Sequence, residues 1–307
     1  LFMETFMADV RNRNEFVGII SAFLSESLYG LSYIFTKQAT QAASVFALLG
    51  WRFLLGAIVI SLCVSLGFVN VNFKGKSLKP ILHVALFSPC IYYITETIGI
   101  DLTTASESGI ILAIIPIASI VASILLLKEK PSKRQIMGII ITLIGVLFTV
   151  LSLGLTSSLS LFGYLFLLIA VLAYALYSVF VSKAKNYTEG EITFAMLVSG
   201  AIFFVILAFI EGFLKGSIDS LIKLPFTDTN FLIAVLYQAI CCSVLAFFLS
   251  NIAISRIGVN RTSSFIGVST AVSILAGILI LNESFNIYQV IGAIVIMIGV
   301  YVANISK

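Results

Sequence analysis

Four ionisable residues stand inside long apolar runs: Glu26, Arg52, Glu96 and Glu107. An ionised side chain at mid-bilayer costs roughly 2.5–3.5 kcal/mol on insertion scales, so each calls for a partner or a task. Tyr29 and Tyr33 follow Glu26 at i+3 and i+7, which puts a carboxylate and two phenols on one helical stripe. Tyr92 and Tyr93 precede Glu96 at i−4 and i−3, repeating the acid-plus-phenol arrangement. An acid flanked by aromatic rings holds an amine through charge and cation–π attraction. A proton competes for the same carboxyl. The alternative at both acids is hydrogen bonding to neighbouring helices with no ligand contact. Glu107 follows Thr103, Thr104 and Ser106. It reads either as a cap for its helix, where the dipole favours an acid, or as part of the site. Arg52 either neutralises one of these carboxylates or binds a substrate's carboxylate, because leaving either charge unpaired is expensive.

Uncharged polar groups within apolar runs extend the set. Tyr174 and Gln238 are candidate lining residues, with Tyr177 and Tyr237 near them, and Asn251 reads as an interhelical hydrogen bond. Pro89 and Pro116 interrupt their helices and each free a carbonyl. Pro116 is the candidate hinge. His83, beside Lys79 and Pro80, reads as an interface residue. The cysteines Cys63, Cys90, Cys241 and Cys242 all fall in apolar runs without CxxC spacing, so they read as packing residues. Gly75-Lys76-Ser77 hints at a phosphate loop, but Asn70 stands where that motif needs its first glycine. HExxH and GxSxG are absent. No catalytic residue, cofactor or metal is expected, and the chain does not read as an enzyme or a nucleic-acid binder.

What must position these residues follows from composition. The chain has 307 residues, 60% apolar and 10% charged, with a mean hydropathy of +1.14. A soluble domain carries roughly 25% charged residues, so this one cannot cover a water-facing surface. Apolar runs place helices near 16–36, 45–68, 80–100, 103–127, 133–153, 162–182, 191–213, 229–255, 260–281 and 287–305. Each is about the 20 residues a 30 Å hydrocarbon core needs. Runs without period-2 alternation exclude a barrel. The first run reads as a retained span, because no A-x-A-like site follows it.

Orientation follows from basic residues. With the N-terminus cytoplasmic, the inside set is Arg11, Arg13, Lys74, Lys76, Lys79, Lys128, Lys130, Lys133, Arg134, Lys183, Lys185, Arg256, Arg261 and Lys307. The outside set is Lys37, Lys215 and Lys223. That bias puts both termini in the cytoplasm of a plasma (bacterial inner) membrane.

The two halves also resemble each other. Residues 119–149 align with 273–303, pairing Glu129 with Glu283, Gln135 with Gln289, Gly138 with Gly292 and Gly145 with Gly299. A weaker match pairs Gly18 with Gly163, Tyr29 with Tyr174 and Phe35 with Phe180. Five helices per half force the second half to enter from the opposite side, so the repeat is inverted, as alternating-access carriers are. The paired glycines read as scaffold or as a dimer contact.

Residues 126–150, LLKEKPSKRQIMGIIITLIGVLFTV, resemble the end of a repeat of the EamA-type drug/metabolite transporter (DMT) superfamily. The pattern is an apolar helix, a Glu at its end, a polar turn and a Gly-rich helix, and it recurs at 280–304. Residues 51–55 resemble that family's second helix and 106–116 its fourth. Tyr29-Gly30 stands where first helices of the family often carry Trp-Gly, and an aromatic ring is kept. The resemblance implies a carrier exporting amino acids, drugs or other metabolites, or importing some.

The expected architecture is therefore all-α and integral to the membrane. It has a cytoplasmic tail at 1–15 and five-helix repeats at 16–155 and 159–305. The expected function is alternating-access export of amino acids or similar amine-bearing metabolites, coupled to protons. Efflux of lipophilic cations would use the same acids. A non-transporting membrane partner or lipid-handling protein would leave those acids unexplained. Partners are a small solute, the bilayer and protons, and the oligomer is a monomer or homodimer.

Overall fold

The computed structural model describes residues 2–103, 108, 111–152, 160–281 and 287–305, and every regular element among them is a helix. Among the described residues the principal helices are, in order, α1 (Phe2–Ala42), α2 (Val45–Ser65), α3 (Lys79–Asp101), α4 (Ile115–Leu127), α5 (Lys133–Ser152), α6 (Leu161–Lys183), α7 (Glu189–Leu214), α8 (Thr229–Ile257), α9 (Val259–Ser264 and Ile266–Leu281) and α10 (Ile287–Asn304). Of these, α2, α3, α6, α7 and α8 are long and apolar enough to cross a membrane. Caps fix their starts. Ser44 accepts from the Ala47 N–H, Ser160 from Gly163 and Asp228 from Phe231. Thr188 and Glu191 form a reciprocal capping box at the head of α7. Gly258, at φ +80°, makes the corner between α8 and α9 that a side chain would strain.

Two features differ from the sequence expectation. α1 starts at Phe2 instead of near 16, so the segment expected as a tail continues the helix. Its polar stretch is held: Glu15 pairs with Arg261 at 2.8 Å and Asn14 accepts from Arg256 at 2.6 Å. A short helix, Ile218–Thr227, occupies the expected loop before α8. It is too short to register as a span.

Three helices are also broken inside their apolar runs. In α3, Leu86–Ile91 forms a π-helical turn in which Ser88 leaves helical geometry (φ −142°, ψ 121°). In α8, Gln238–Ala246 is π-helical. α9 breaks at Phe265, and a turn at Ala113–Ile114 precedes α4. The same 152-residue interval separates Leu86 from Gln238 and Ala113 from Phe265.

Packing follows the same correspondence. α1 packs on α8 and α9, while α6 packs on α3 and α4; α2 packs on α7, and α5 on α10. Exchanging each helix for the one five places later turns this set of pairs into itself. The α5–α10 pair is the closest approach. A Cβ on Gly145 would lie 2.7 Å from the Ile296 nitrogen, and one on Gly138 2.6 Å from the Gly299 carbonyl oxygen. The paired glycines therefore meet within one chain, and the faces that read as a possible dimer contact are filled by each other. Outward-facing Leu and Ile side chains cover the bundle, as they would against lipid.

Candidate functional site

The bundle interior holds most of the residues singled out above, and the π-helical turns explain how they meet. A π turn adds one residue to the register and rotates everything after it by roughly 100°. In α3, Tyr92, Tyr93 and Glu96 follow directly on the turn. In α8, Gln238 and Ser243 lie within it. Both sets converge on Arg52 of α2. Its Nε donates to Ser243 Oγ at 2.8 Å, its Nη2 to Tyr93 Oη at 3.1 Å and its Nη1 to Gln238 Oε1 at 3.5 Å. The guanidinium also lies 4.5 Å over the Tyr93 ring.

Arg52 is buried, yet among the described residues no carboxylate comes within the 4.0 Å of an ion pair. Among the described residues neutral dipoles orient the guanidinium. Glu96 is within its electrostatic reach but is held by Tyr92, whose hydroxyl donates to Oε1 at 2.7 Å.

Glu26 lies buried on α1, with the Ser269 hydroxyl of α9 within hydrogen-bonding reach and Tyr174 and Tyr177 of α6 close enough to feel its charge. Tyr29, one turn on, faces Arg52, Tyr93, Tyr177 and Cys242. A run of rings joins the halves: Tyr92 meets Tyr93 at 5.0 Å and Tyr174 at 5.7 Å, and Tyr174 meets Tyr177 at 5.6 Å. Tyr29, Tyr92, Glu96 and Tyr174 are only half-buried although their neighbours are interior groups.

Below this cluster, Tyr177 donates to Asn251 Oδ1 at 2.8 Å, and Asn251 Nδ2 donates to Thr193 Oγ1 at 3.0 Å. That ties α6, α8 and α7 together. Pro116 sits in the first turn of α4, just after the Ala113–Ile114 turn, where the missing N–H costs nothing. Glu107 lies outside the described residues, as does the side chain of Tyr33. No group of three or more His, Cys, Asp or Glu side chains converges among the described residues.

Sequence reasoning passed over Ser243, Ser269 and Ser250, the last of which lies on α8 within hydrogen-bonding reach of Tyr174 and Tyr177, because a lone serine in an apolar run looks like a packing residue. It also passed over Glu191, whose carboxylate accepts from Lys76 Nζ, the Asn72 N–H and the Thr188 N–H. The signal was present, since Thr188-x-x-Glu191 spells a capping box.

The sequence profile of the EamA-like transporter family matches this chain twice, over residues 16–151 and 161–305. The chain belongs to the EamA family. Among its relatives is the Uncharacterized transporter YcxC of Bacillus subtilis, 34% identical, over 94% of this chain and 92% of that protein. A second from the same organism, Uncharacterized transporter YetK, is 27% identical over 94% and 87%. A crystal structure with TM-score 0.72 and 18% identity covers 93% of this chain and 96% of its own, and shows that the fold is shared. This EamA protein is thus a membrane protein of a transporter family, with acids, phenols and one guanidinium gathered where its two matched segments meet.

Proposed function

We propose that this EamA protein is a ten-span secondary carrier that exports amino acids or similar small amine-bearing metabolites from the cytoplasm. In this reading both termini are cytoplasmic in a plasma membrane, and the units 16–155 and 159–305 form an inverted repeat. The single observation that carries the proposal is the interior cluster of Glu26, Glu96, Tyr29, Tyr92 and Tyr174, two carboxyl groups and three phenols, in which Tyr92 donates to Glu96 and its ring meets that of Tyr174. Carboxylates ringed by phenols hold an ammonium by charge and cation–π attraction, and intramembrane acids mark ion or substrate pathways.

Two facts support alternating access. The π turns fall at corresponding positions of α3 and α8, where carriers place their binding sites. The main helix pairs, α1 on α8 and α9, α6 on α3 and α4, α2 on α7 and α5 on α10, exchange into one another when the halves are exchanged, which favours an inverted repeat with two related packings. Proton coupling follows from competition: a carboxyl that releases its ammonium on one side can take a proton there and carry it back. The run of edge-to-face rings favours a second reading, efflux of lipophilic cations, whose apolar bodies such rings would hold.

The test is flux of a labelled amino-acid panel from proteoliposomes, with and without an imposed pH gradient. Selective flux that rises with the gradient supports the proposal. No amino-acid flux from tight, loaded vesicles removes that substrate class and leaves lipophilic cations.

A further inference from the structure

The outer side of the bundle carries a groove of about 540 Å³ between α1, α9 and α10. Its walls are Phe23 of α1, Val272 and Leu275 of α9, and Ile294 and Met297 of α10. The one polar group among its lining side chains is the phenol of Tyr301. Phe23, Leu275, Ile294 and Tyr301 are exposed, so the groove opens outward. The volume falls within the roughly 300–1,000 Å³ of small-molecule sites. α1 and α9 close on each other behind it. A Cβ on Gly30 would lie 2.6 Å from the Ser269 carbonyl oxygen, and the Ser269 hydroxyl reaches Glu26. Whatever fills the groove is therefore walled off from the acid cluster and is not the transported solute.

Charge is placed at one end only. Asn304, one turn past Tyr301, accepts from Arg261 through its side chain at 3.1 Å and its carbonyl at 2.9 Å. Arg261 also pairs with Glu15 at 2.8 Å, so it ties α10 to α1 and its charge is met. Arg256 donates to Asn14, the residue before Glu15, at 2.6 Å. It is exposed, and among the described residues no carboxylate lies within the 4.0 Å of an ion pair. A guanidinium has five donors, and one is used here. An uncompensated cation thus stands level with the polar end of an apolar groove.

We propose that this groove is a binding site for one anionic phospholipid of the surrounding bilayer, with an acyl chain between Phe23, Val272 and Met297 and the phosphate at Arg256. An apolar tail joined to an anionic head matches the pattern of the site end for end. Guanidinium meets phosphate through two parallel bonds, and tyrosines such as Tyr301 favour the headgroup level. In the orientation proposed above, this end lies in the cytoplasmic leaflet, where anionic lipids attract basic residues. A two-fold dimer through the same face would set groove against groove and fill neither. The site does not depend on which solute the carrier moves.

The experiment uses full-length protein in phosphatidylcholine vesicles and two probes, phosphatidylglycerol and phosphatidylcholine, each with a diazirine in one acyl chain. After illumination, labelled peptides are mapped by mass spectrometry. The reference is the face of α7 at Ile202, Ile206 and Ile210, which is equally exposed. The expected result is more label on the groove segments of α9 and α10 than on that face. Phosphatidylglycerol should label the groove about fivefold more than phosphatidylcholine, the increment one arginine adds at an anionic lipid surface. Arg256→Gln should bring that ratio toward one, and Ala293→Phe, which puts a ring in the groove, should lower label from both probes. If the groove takes no more label than α7, ordinary annular lipid covers it and the proposal is wrong. Equal labelling by the two probes in the unmodified protein overturns it as well, since the headgroup is then not recognised. Both comparisons need no variant, so a misfolded one does not rescue the idea. A groove shielded from both probes, with Ile294→Cys forming a disulfide-linked dimer, would show that a second copy covers it instead.

Discussion

Lys76 and Glu191 meet at 2.7 Å and strap the loop after α2 to the first turn of α7. The carboxylate is nearly inaccessible, at 3% side-chain exposure, while Lys76 keeps 28%. The same carboxylate receives the backbone N–H of Asn72 and of Thr188, so one side chain anchors a loop, a cap and a cation. Tyr187 adds a hydrogen bond to the Ser77 carbonyl and packs near Phe73.

Removing that anchor has a definite consequence. Glu191→Ala leaves two backbone donors and a lysine without their acceptor, and each hydrogen bond lost at this part-buried strap is worth about 0.5–1.5 kcal/mol. A lower Tm in detergent is expected, by several degrees. Lys76→Met, which leaves the cap intact, should cost less. If the strap lies on the cytoplasmic side, as the basic bias implies, a cysteine at position 73 should label faster from that side in Glu191→Ala. Equal labelling and equal Tm would show that the strap carries no weight.

The α5–α10 crossing makes a second, structural prediction. A Cβ on Gly138 meets the Gly299 carbonyl oxygen at 2.6 Å, and backbone cannot give way as a side-chain tip can. Overpacking of this kind costs about 1–3 kcal/mol or more. Gly138→Val should therefore lower the Tm and the yield of folded protein, measured by size exclusion. Ile140→Ala, half exposed on the same helix at 51%, should change little. The prediction fails if the two variants behave alike.

Asn251 supplies the third prediction. It accepts from Tyr177 and donates to Thr193, and it is fully buried. Asn251→Leu removes both the acceptor of the Tyr177 phenol and the donor to the Thr193 hydroxyl, which keeps its own bond to the Glu189 carbonyl, so two buried bonds are lost at about 0.5–1.5 kcal/mol each. Tyr177→Phe removes only one bond and should cost roughly 0.5–1.5 kcal/mol. The order of the two Tm values checks it, with Asn251→Leu the lower.

Much of this was legible before any coordinates. Glu26, Arg52 and Glu96 announce themselves because charge in an apolar run is expensive, Tyr29 and Tyr92 follow from helical spacing, and Tyr174 follows from the repeat that pairs it with Tyr29. The breaks were half legible. Pro89 marks the α3 turn, but nothing in Gln238–Ala246 distinguishes a π turn from ordinary helix, since its residue types suit either. That register shift decides which residues reach Arg52, so Ser243 as its partner was invisible. Its neutral surroundings were invisible for the same reason, because spacing along one helix says nothing about what a neighbouring helix brings. The start of α1 was missed because a polar helix held by Arg256 and Arg261 depends on tertiary contacts.

The last prediction concerns Glu26. It is buried on α1, reached by the Ser269 hydroxyl and the charge-sensing Tyr174 and Tyr177, and no lysine or arginine forms an ion pair with it among the described residues. A carboxyl so placed can exchange a proton for an ammonium, whereas an amide of the same shape cannot take up a proton at all. Glu26→Gln keeps the volume and an acceptor for Ser269, so the fold and the Tm should be nearly unchanged. In proteoliposomes, acid on the side the substrate moves toward should accelerate flux through the unmodified protein and leave the variant's flux flat across the same gradient. Counterflow, which exchanges substrate for substrate without net proton movement, should survive better than gradient-driven flux. If the variant keeps both its rate and its pH dependence, the proton does not travel through Glu26, and Glu96 becomes the acid to test in the same way.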